Sequence, residues 1–255
     1  MARNLLFGIC YRGTRYHGFQ MQKNALSVCD VLHQAVTAVT GTRHGIIGCS
    51  RTDTGVHARE YFFHMKTESP IPEDAFVRAL NAHLPQDIAV LSCREVPGEF
   101  HARFCAREKE YVYQIWNAPV RNPFYEDTAL HYKYPLDEAL LDRAASAFVG
   151  THDFGAFCSA GGSVTDTVRT IFDARVRREG EFVTFTVRGN GFLYNMVRIL
   201  VGTLLEISEG KILPESIPAL YVSGDRGGAG RTAPPQGLFL NRVVYDEAWF
   251  CTKQA

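Results

Sequence analysis

Apolar and polar positions along the chain repeat with two different periods, and the change from one to the other marks out the elements. From Asn4 to Tyr11 the step is two: Phe7, Ile9 and Tyr11 alternate with Leu6, Gly8 and Cys10, which predicts a strand. Gly13 and Gly18 then bracket a polar, aromatic loop. Ser27, with Asp30 three residues on, is placed to start a helix. Val28, Val31, Leu32, Ala35, Val36 and Val39 follow at steps of three and four, and Gly41 terminates the stripe. Gly45–Ser50 and Ala58–Lys66 read as strands around a tight turn, Glu73–His83 as a helix and Ile88–Cys93 as a strand. A similar order resumes with a strand at Glu110–Trp116 and a helix at Asp137–Phe148. Ile171–Arg177 and Phe182–Arg188 are predicted to form a hairpin around Glu179-Gly180. After Asn190-Gly191, Phe192–Ile207 is apolar on most sides, as a buried helix is. Pro214 opens a short helix, residues 223–237 form a Gly/Pro-rich loop, and Leu238–Tyr245 is the last strand.

This order divides the chain into two halves, 1–104 and 105–255, each mixing strands with helices. The hairpins predict an α+β fold with mainly antiparallel sheet rather than a doubly wound one. No G-x-G-x-x-G follows the first strand and no G-x-x-x-x-G-K-[ST] occurs, so a nucleotide cofactor has no support in the sequence. With 46% apolar and 21% charged residues, the chain falls outside the disordered class. Its longest greasy stretch, Phe192–Ile207, is broken by Asn195, Arg198 and Glu206, so no membrane span is expected. The start has no tripartite leader, and a cytoplasmic location is expected. Seven cysteines stand at 10, 29, 49, 93, 105, 158 and 251 with no C-x-x-C. That spacing points to reduced thiols and to neither a disulfide framework nor a zinc site.

Charge adds a direction. Lys plus Arg and Asp plus Glu both number 27, so the net charge is zero, yet the signs are unevenly placed. Residues 1–30 carry Arg3, Arg12, Arg15 and Lys23 against Asp30 alone. Residues 169–198 carry Arg169, Arg175, Arg177, Arg178, Arg188 and Arg198 against Asp173, Glu179 and Glu181. Such a chain can present a basic face to RNA, and Arg12, Arg15, Arg103 and Arg169 are the candidate contacts.

The chemistry concentrates in Ser50-Arg51-Thr52-Asp53-Thr54-Gly55-Val56-His57-Ala58. One reading is a plain Asx-turn in which Asp53 bonds backbone amides and Gly55 takes a positive φ. The other is a functional carboxylate. If the strand reaches this far, Arg51 and Asp53 share a face, and a neighbouring guanidinium keeps a carboxylate ionised. Phe100-His101-Ala102-Arg103-Phe104 and Lys109–Tyr113 read either as aromatic edge packing or as a stacking platform for bases. Arg198 lies on an otherwise apolar helix and needs an anionic partner, in a structural ion pair or in a site.

Together these segments resemble the tRNA pseudouridine synthase A family. Tyr11-Arg12-Gly13-Thr14-Arg15-Tyr16-His17-Gly18-Phe19-Gln20 is similar to the family's Y-D-G-x-x-Y-x-G-[WF]-Q opening, with Arg12 in place of the usual acid. Gly48–Ala58 is similar to its G-x-x-R-T-D-x-G-V-H-A signature. Asn81–Pro85 with Asp87-Ile88, Phe100–Arg103, Tyr111–Tyr113, Met196–Arg198 with Val201-Gly202, and Ala233–Leu238 follow in family order.

The resemblance implies the pseudouridine synthase fold, two related halves flanking a central cleft. It implies isomerisation of uridine to pseudouridine at positions 38, 39 and 40 of the tRNA anticodon stem-loop, by a homodimer with no cofactor and no metal. Asp53 matches the catalytic aspartate. Arg51 matches the arginine that helps displace or hold the target base, and Tyr111 the tyrosine that stacks on the uracil. Arg198 matches the cation paired with the carboxylate, and Leu238 an apolar wall of the pocket. Attack of Asp53 on the sugar, its addition to C6 of uracil and removal of a sugar proton all need the same ionised group. The competing readings are a synthase acting on another RNA and a non-catalytic RNA-binding protein. Target choice would then lie in Arg12, the Ser159–Thr167 loop and the basic patches.

Overall fold

The computed structural model describes residues 2–161 and 165–250. Part of the Ser159–Thr167 loop, and Cys251, lie outside the described residues. The chain forms two compact units. One takes the chain up to Arg107 and again from Leu240 onward, and the other is Glu108–Phe239.

In the first unit, β1 (Arg3–Tyr11) leads to α1 (Val28–Thr40), β2 (Ile47–Gly48), β3 (His57–Thr67), α2 (Glu73–His83) and β4 (Ile88–Val96). β1 lies between β3 and β4 and is antiparallel to both, with Phe7 opposite Phe63 on one side and Cys93 on the other. Phe7 stacks on Phe63 at 4.9 Å and meets Phe76 of α2 edge-on at 5.7 Å, so α2 covers that face of the sheet. α1 starts where its sequence says. Ser27 Oγ accepts from Asp30 N while the Asp30 carboxylate accepts from Ser27 N, a reciprocal cap. Gly41, at φ 74°, closes the helix.

The predicted strand Gly45–Ser50 shrinks to β2. Cys49 N still bonds Phe62 O, but the Ser50 carbonyl accepts from the Tyr61 hydroxyl instead of continuing the ladder. Arg51 and Asp53 are therefore in a loop and not in a strand, so strand alternation does not govern them.

In the second unit, β5 (Ala106–Trp116) is followed by β6 (Leu130–His131), α3 (Glu138–Ser146), β7 (Gly150–Asp153), β8 (Val168–Glu179), β9 (Phe182–Gly189), α4 (Met196–Ser208) and α5 (Ile217–Ser223). The strand order is β5-β9-β8-β7, antiparallel throughout, with β6 parallel to β5. Glu179 pairs with Phe182, so the hairpin loop is Gly180-Glu181, one residue later than predicted. The reason is Gly180, whose φ of 58° supplies the first central position of the turn. α4 begins at Met196 rather than Phe192, because Asn195 turns left-handed at φ 60° and residues before it cannot join the helix.

β10 (Leu238–Tyr245) lies beside β3, where Val243 N donates to Glu60 Oε1 at 2.8 Å and the Tyr245 hydroxyl to Ala102 O at 2.7 Å. Both units are α+β with mainly antiparallel strands. None of the six described cysteines is in a disulfide. No described helix is long and apolar enough to cross a membrane.

Candidate active site

Residues 51–56 form a loop that leads into β3 at His57, and this loop is held by the one that follows β1. Val56 N donates to Asp53 O at 3.1 Å, closing a turn whose third residue, Gly55, has φ 78°. Gly55 N in turn donates to Tyr16 O at 3.1 Å. Tyr11 Oη and Thr52 Oγ1 share a hydrogen bond of 2.9 Å, and Gly13 N donates to His57 Nδ1 at 2.9 Å. That bond makes Nδ1 of the buried His57 an acceptor and so unprotonated.

Gly13 and Gly18 are glycines because the two loops touch. A Cβ on Gly13 would stand 1.9 Å from Val56 O, and one on Gly18 would stand 2.2 Å from Thr52 O. Gly48 is closed off similarly, by the Tyr61 hydroxyl and the Phe19 ring. Phe19 stacks on Tyr61 at 4.3 Å. Arg51 Nε donates to Gln20 Oε1 at 3.2 Å. The Y-R-G-T-R-Y-H-G-F-Q and R-T-D-T-G-V-H segments are thus one construction, in which the first fixes the backbone of the second. Asp53 is half-buried on it and Arg51 exposed.

A third segment tightens the brace. Asp87 accepts from Arg15 Nε and from the Tyr16 hydroxyl, both at 2.7 Å, and its carbonyl accepts from Arg12 N at 2.8 Å. Burial alone would raise the Asp87 carboxyl, but the bonds from Arg15 and Tyr16 outweigh it and hold the group below the ordinary carboxylate range. Burial also pushes the Tyr16 phenol up to about 12. No local pattern pairs residue 87 with residues 15 and 16, so sequence reading assigns Asp87 no role.

The second unit carries the other residues of interest. Tyr111 is buried on β5 and meets Phe192 edge-on at 5.0 Å. Two residues along the same face, the Tyr113 hydroxyl donates to Pro234 O at 2.7 Å. Arg198, half-buried in the first turn of α4, donates from Nε to Ala233 O at 2.7 Å and from Nη1 to Asn195 Oδ1 at 2.8 Å. Burial pushes the Tyr113 phenol up, and the Arg198 charge opposes the rise, so the two lie within electrostatic reach.

The 229–238 strap is pressed onto α4. A Cβ on Gly202 would lie 1.6 Å from Arg231 O, and Gly230 N donates to Thr203 Oγ1 at 3.0 Å. Leu238, at the end of the strap, is buried. The bracing roles of Tyr113 and Asn195 have no signal in the sequence beyond their place in the motifs.

The predicted RNA-contacting arginines are scattered over the two units. Arg12 and Arg103 are exposed in the first. Arg15 is also exposed there, though paired with Asp87. Arg169, half-buried in β8 of the second, donates to Asp166 O at 3.1 Å. It also lies against the Asn190-Gly191 break, 3.5 Å from where a Gly191 Cβ would stand.

Comparison with known proteins places the chain. The profile of the tRNA pseudouridine synthase family matches residues 9–105 and 144–246. The chain is 44% identical over 243 residues to tRNA pseudouridine synthase A of Thermoanaerobacter sp. strain X514, covering 95% of this chain and 100% of that protein. The protein of the same name from Acetivibrio thermocellus is 47% identical over 243 residues, with the same coverage. That from Halalkalibacterium halodurans is 43% identical over 235 residues, covering 92% of this chain and 89% of the other.

Proposed function

Because the chain belongs to the tRNA pseudouridine synthase family, we propose that it converts uridine to pseudouridine in tRNA, at positions 38, 39 and 40 of the anticodon stem-loop, with Asp53 as the catalytic carboxylate. The observation that carries the assignment of Asp53 is the brace beneath it. Two hydrogen-bonded loops and two glycines with no room for a Cβ hold the backbone of an otherwise irregular turn. A turn that served only to reverse the chain would not need this support, whereas a reacting group must be held to a fraction of an ångström.

The reaction exchanges a C–N glycosidic bond for a C–C bond between the same sugar and base; the proton at C5 of uracil leaves to solvent, and N1, freed from the sugar, takes one up. The uridine must first leave its stack, at a cost of a few kcal/mol that contacts to the flipped base return. In this reading Tyr111 holds the uracil by its face and Leu238 walls it. Arg51 helps hold the target nucleotide out of its stack. Arg198 supplies fixed positive charge where negative charge gathers during the reaction. Arg12, Arg15, Arg103 and Arg169 contact the RNA backbone. The working form is a cytoplasmic homodimer.

Release of tritium from tRNA labelled at C5 of uridine tests the chemistry, and mapping the product bases tests the positions. Wild-type protein is expected to release tritium. Asp53→Asn is expected to bind tRNA normally and release none, and appreciable pseudouridine from that variant would refute the role of Asp53. Product at other sites would favour a synthase with a different RNA target.

A further inference from the structure

The Phe100–Phe104 segment separates two phenylalanines that look alike in sequence. Phe100 is 2% exposed and packs among Tyr245 and Trp249 at 5.3 and 5.5 Å. Phe104 is 76% exposed. Between them Ala102 is fully buried, and its amide donates to His64 Nδ1 at 3.1 Å. The segment is thus anchored from the inside by Phe100 and Ala102.

Its outer half is also held. His101 Nδ1 accepts from both Arg103 N and Phe104 N, at 3.2 and 3.3 Å, and Cys105 N returns to His101 O at 2.9 Å. The His101 ring is flanked by His64 at 5.1 Å and lies under Phe104, 4.3 Å away and tilted by 28°. The Arg103 guanidinium stands 5.7 Å from the centre of the Phe104 ring. An exposed phenyl ring normally samples several rotamers. Here the ring rests on an imidazole whose position is set by two amide bonds, with the Arg103 guanidinium over it, while the residue as a whole stays 76% exposed.

We propose that Phe104, backed by His101 and flanked by Arg103, is a stacking platform for an unpaired nucleobase of the RNA substrate, separate from the flipped uridine. An aromatic face with an adjacent cation suits a base and its phosphate. A single ring is far too small for a protein interface, which buries about 800 Å² on each partner. The platform rests on the reading of the protein as a tRNA enzyme and adds to it a binding site outside the catalytic loop.

Phe104→Leu keeps an apolar side chain but removes the π face, and Phe104→Trp enlarges it. Because the side chain is exposed, neither change disturbs the core. Each variant is titrated with tRNA and with a short single-stranded oligoribonucleotide. Phe104→Leu is expected to weaken binding of both by roughly five- to 20-fold, within the usual range for loss of one stacked base. Phe104→Trp is expected to bind at least as well as wild type, with its indole emission quenched by RNA.

Wild-type affinity in Phe104→Leu, or unquenched emission from Phe104→Trp, would overturn the platform. So would a loss of affinity accompanied by a shift in sedimentation, since that marks a protein interface. If the wild type binds the oligonucleotide with the expected Phe104 dependence but releases no tritium from tRNA, the isomerase reading falls and the platform stands.

Discussion

Single atoms decide how the proposed catalytic turn is held. Gly18→Ala would place a Cβ 2.2 Å from Thr52 O at a φ of 79°, combining a clash with left-handed strain. It should cost at least about 2 kcal/mol and most of the activity, read by thermal melting and tritium release. Gly41→Ala has nearly the same φ, 74°, but open space around it. It should cost only about 1 kcal/mol and leave activity intact. Asp87 acts on the same turn at one remove. Asp87→Ala leaves the Tyr16 hydroxyl without its acceptor, at a cost of about 1–3 kcal/mol. Since its folded pKa is depressed from 3.8, Asp87 binds fewer protons folded than unfolded in that region. Its contribution is complete above that value and is lost as pH falls through the folded pKa. The stability gap between wild type and Asp87→Ala should therefore close in acid denaturation below pH 4. A gap that stayed constant down to pH 2 would show that the carboxylate charge is not what braces the loop.

At the scale of elements, β3 and α4 do the positioning. His64 on β3 is buried, and its pKa is lowered from 6.5 to about 4 by that burial, with the His101 charge acting in the same direction. The unfolded chain then binds more protons than the folded one between pH 6.5 and 4, so stability must fall as pH drops through that window. His64→Gln, which keeps an acceptor for Ala102 N, should flatten this part of the pH–stability curve. α4 carries Arg198 at one end and the close contact at Gly202 in its middle. Gly202→Ala drives a methyl into Arg231 O and must push the strap off the helix. The expected cost is about 3 kcal/mol or more. Because Ala233 O is the acceptor of Arg198 Nε, activity should fall further than the melting temperature alone explains.

For the molecule as a whole, the relevant quantity is where charge lies, since the sum is zero. If Arg12, Arg15, Arg103 and Arg169 each meet a phosphate, about four counterions are released on binding. Raising salt from about 50 to 200 mM should then weaken tRNA binding by roughly 50- to 150-fold. Replacing any one of them with Ala should lower the log–log salt slope by about one. An unchanged slope for Arg15→Ala would show that Asp87 holds that guanidinium as a structural ion in the complex as well. If the proposed homodimer forms, the protein should sediment at about twice the 28.5 kDa chain mass, and sedimentation at the single-chain mass would refute it.

Local chemistry was legible in the sequence wherever it acts over a few residues. The Ser27–Asp30 cap, the stop at Gly41, the bounds of α2 and β10 and the apolar faces of β1 and α4 all follow from periods and caps that neighbouring residues set. The R-T-D-T-G-V-H turn was visible as a place where chemistry gathers, and the family motifs around it pointed to a uridine isomerase. Contacts between residues far apart in the chain were not legible. Pairing the Ser50 carbonyl with the Tyr61 hydroxyl ended β2 early, and the left-handed Asn195 delayed α4. Gly13, Gly18 and Gly202 looked like ordinary loop or helix glycines until another backbone was seen against each of them. Asp87 had no role until it met Arg15 and Tyr16, and nothing in its own pattern separated Phe104 from Phe100. Hydrogen bonds and close packing form between whichever atoms the folded chain brings within 3 Å, and that proximity is set by the sum of the fold rather than by any stretch of sequence.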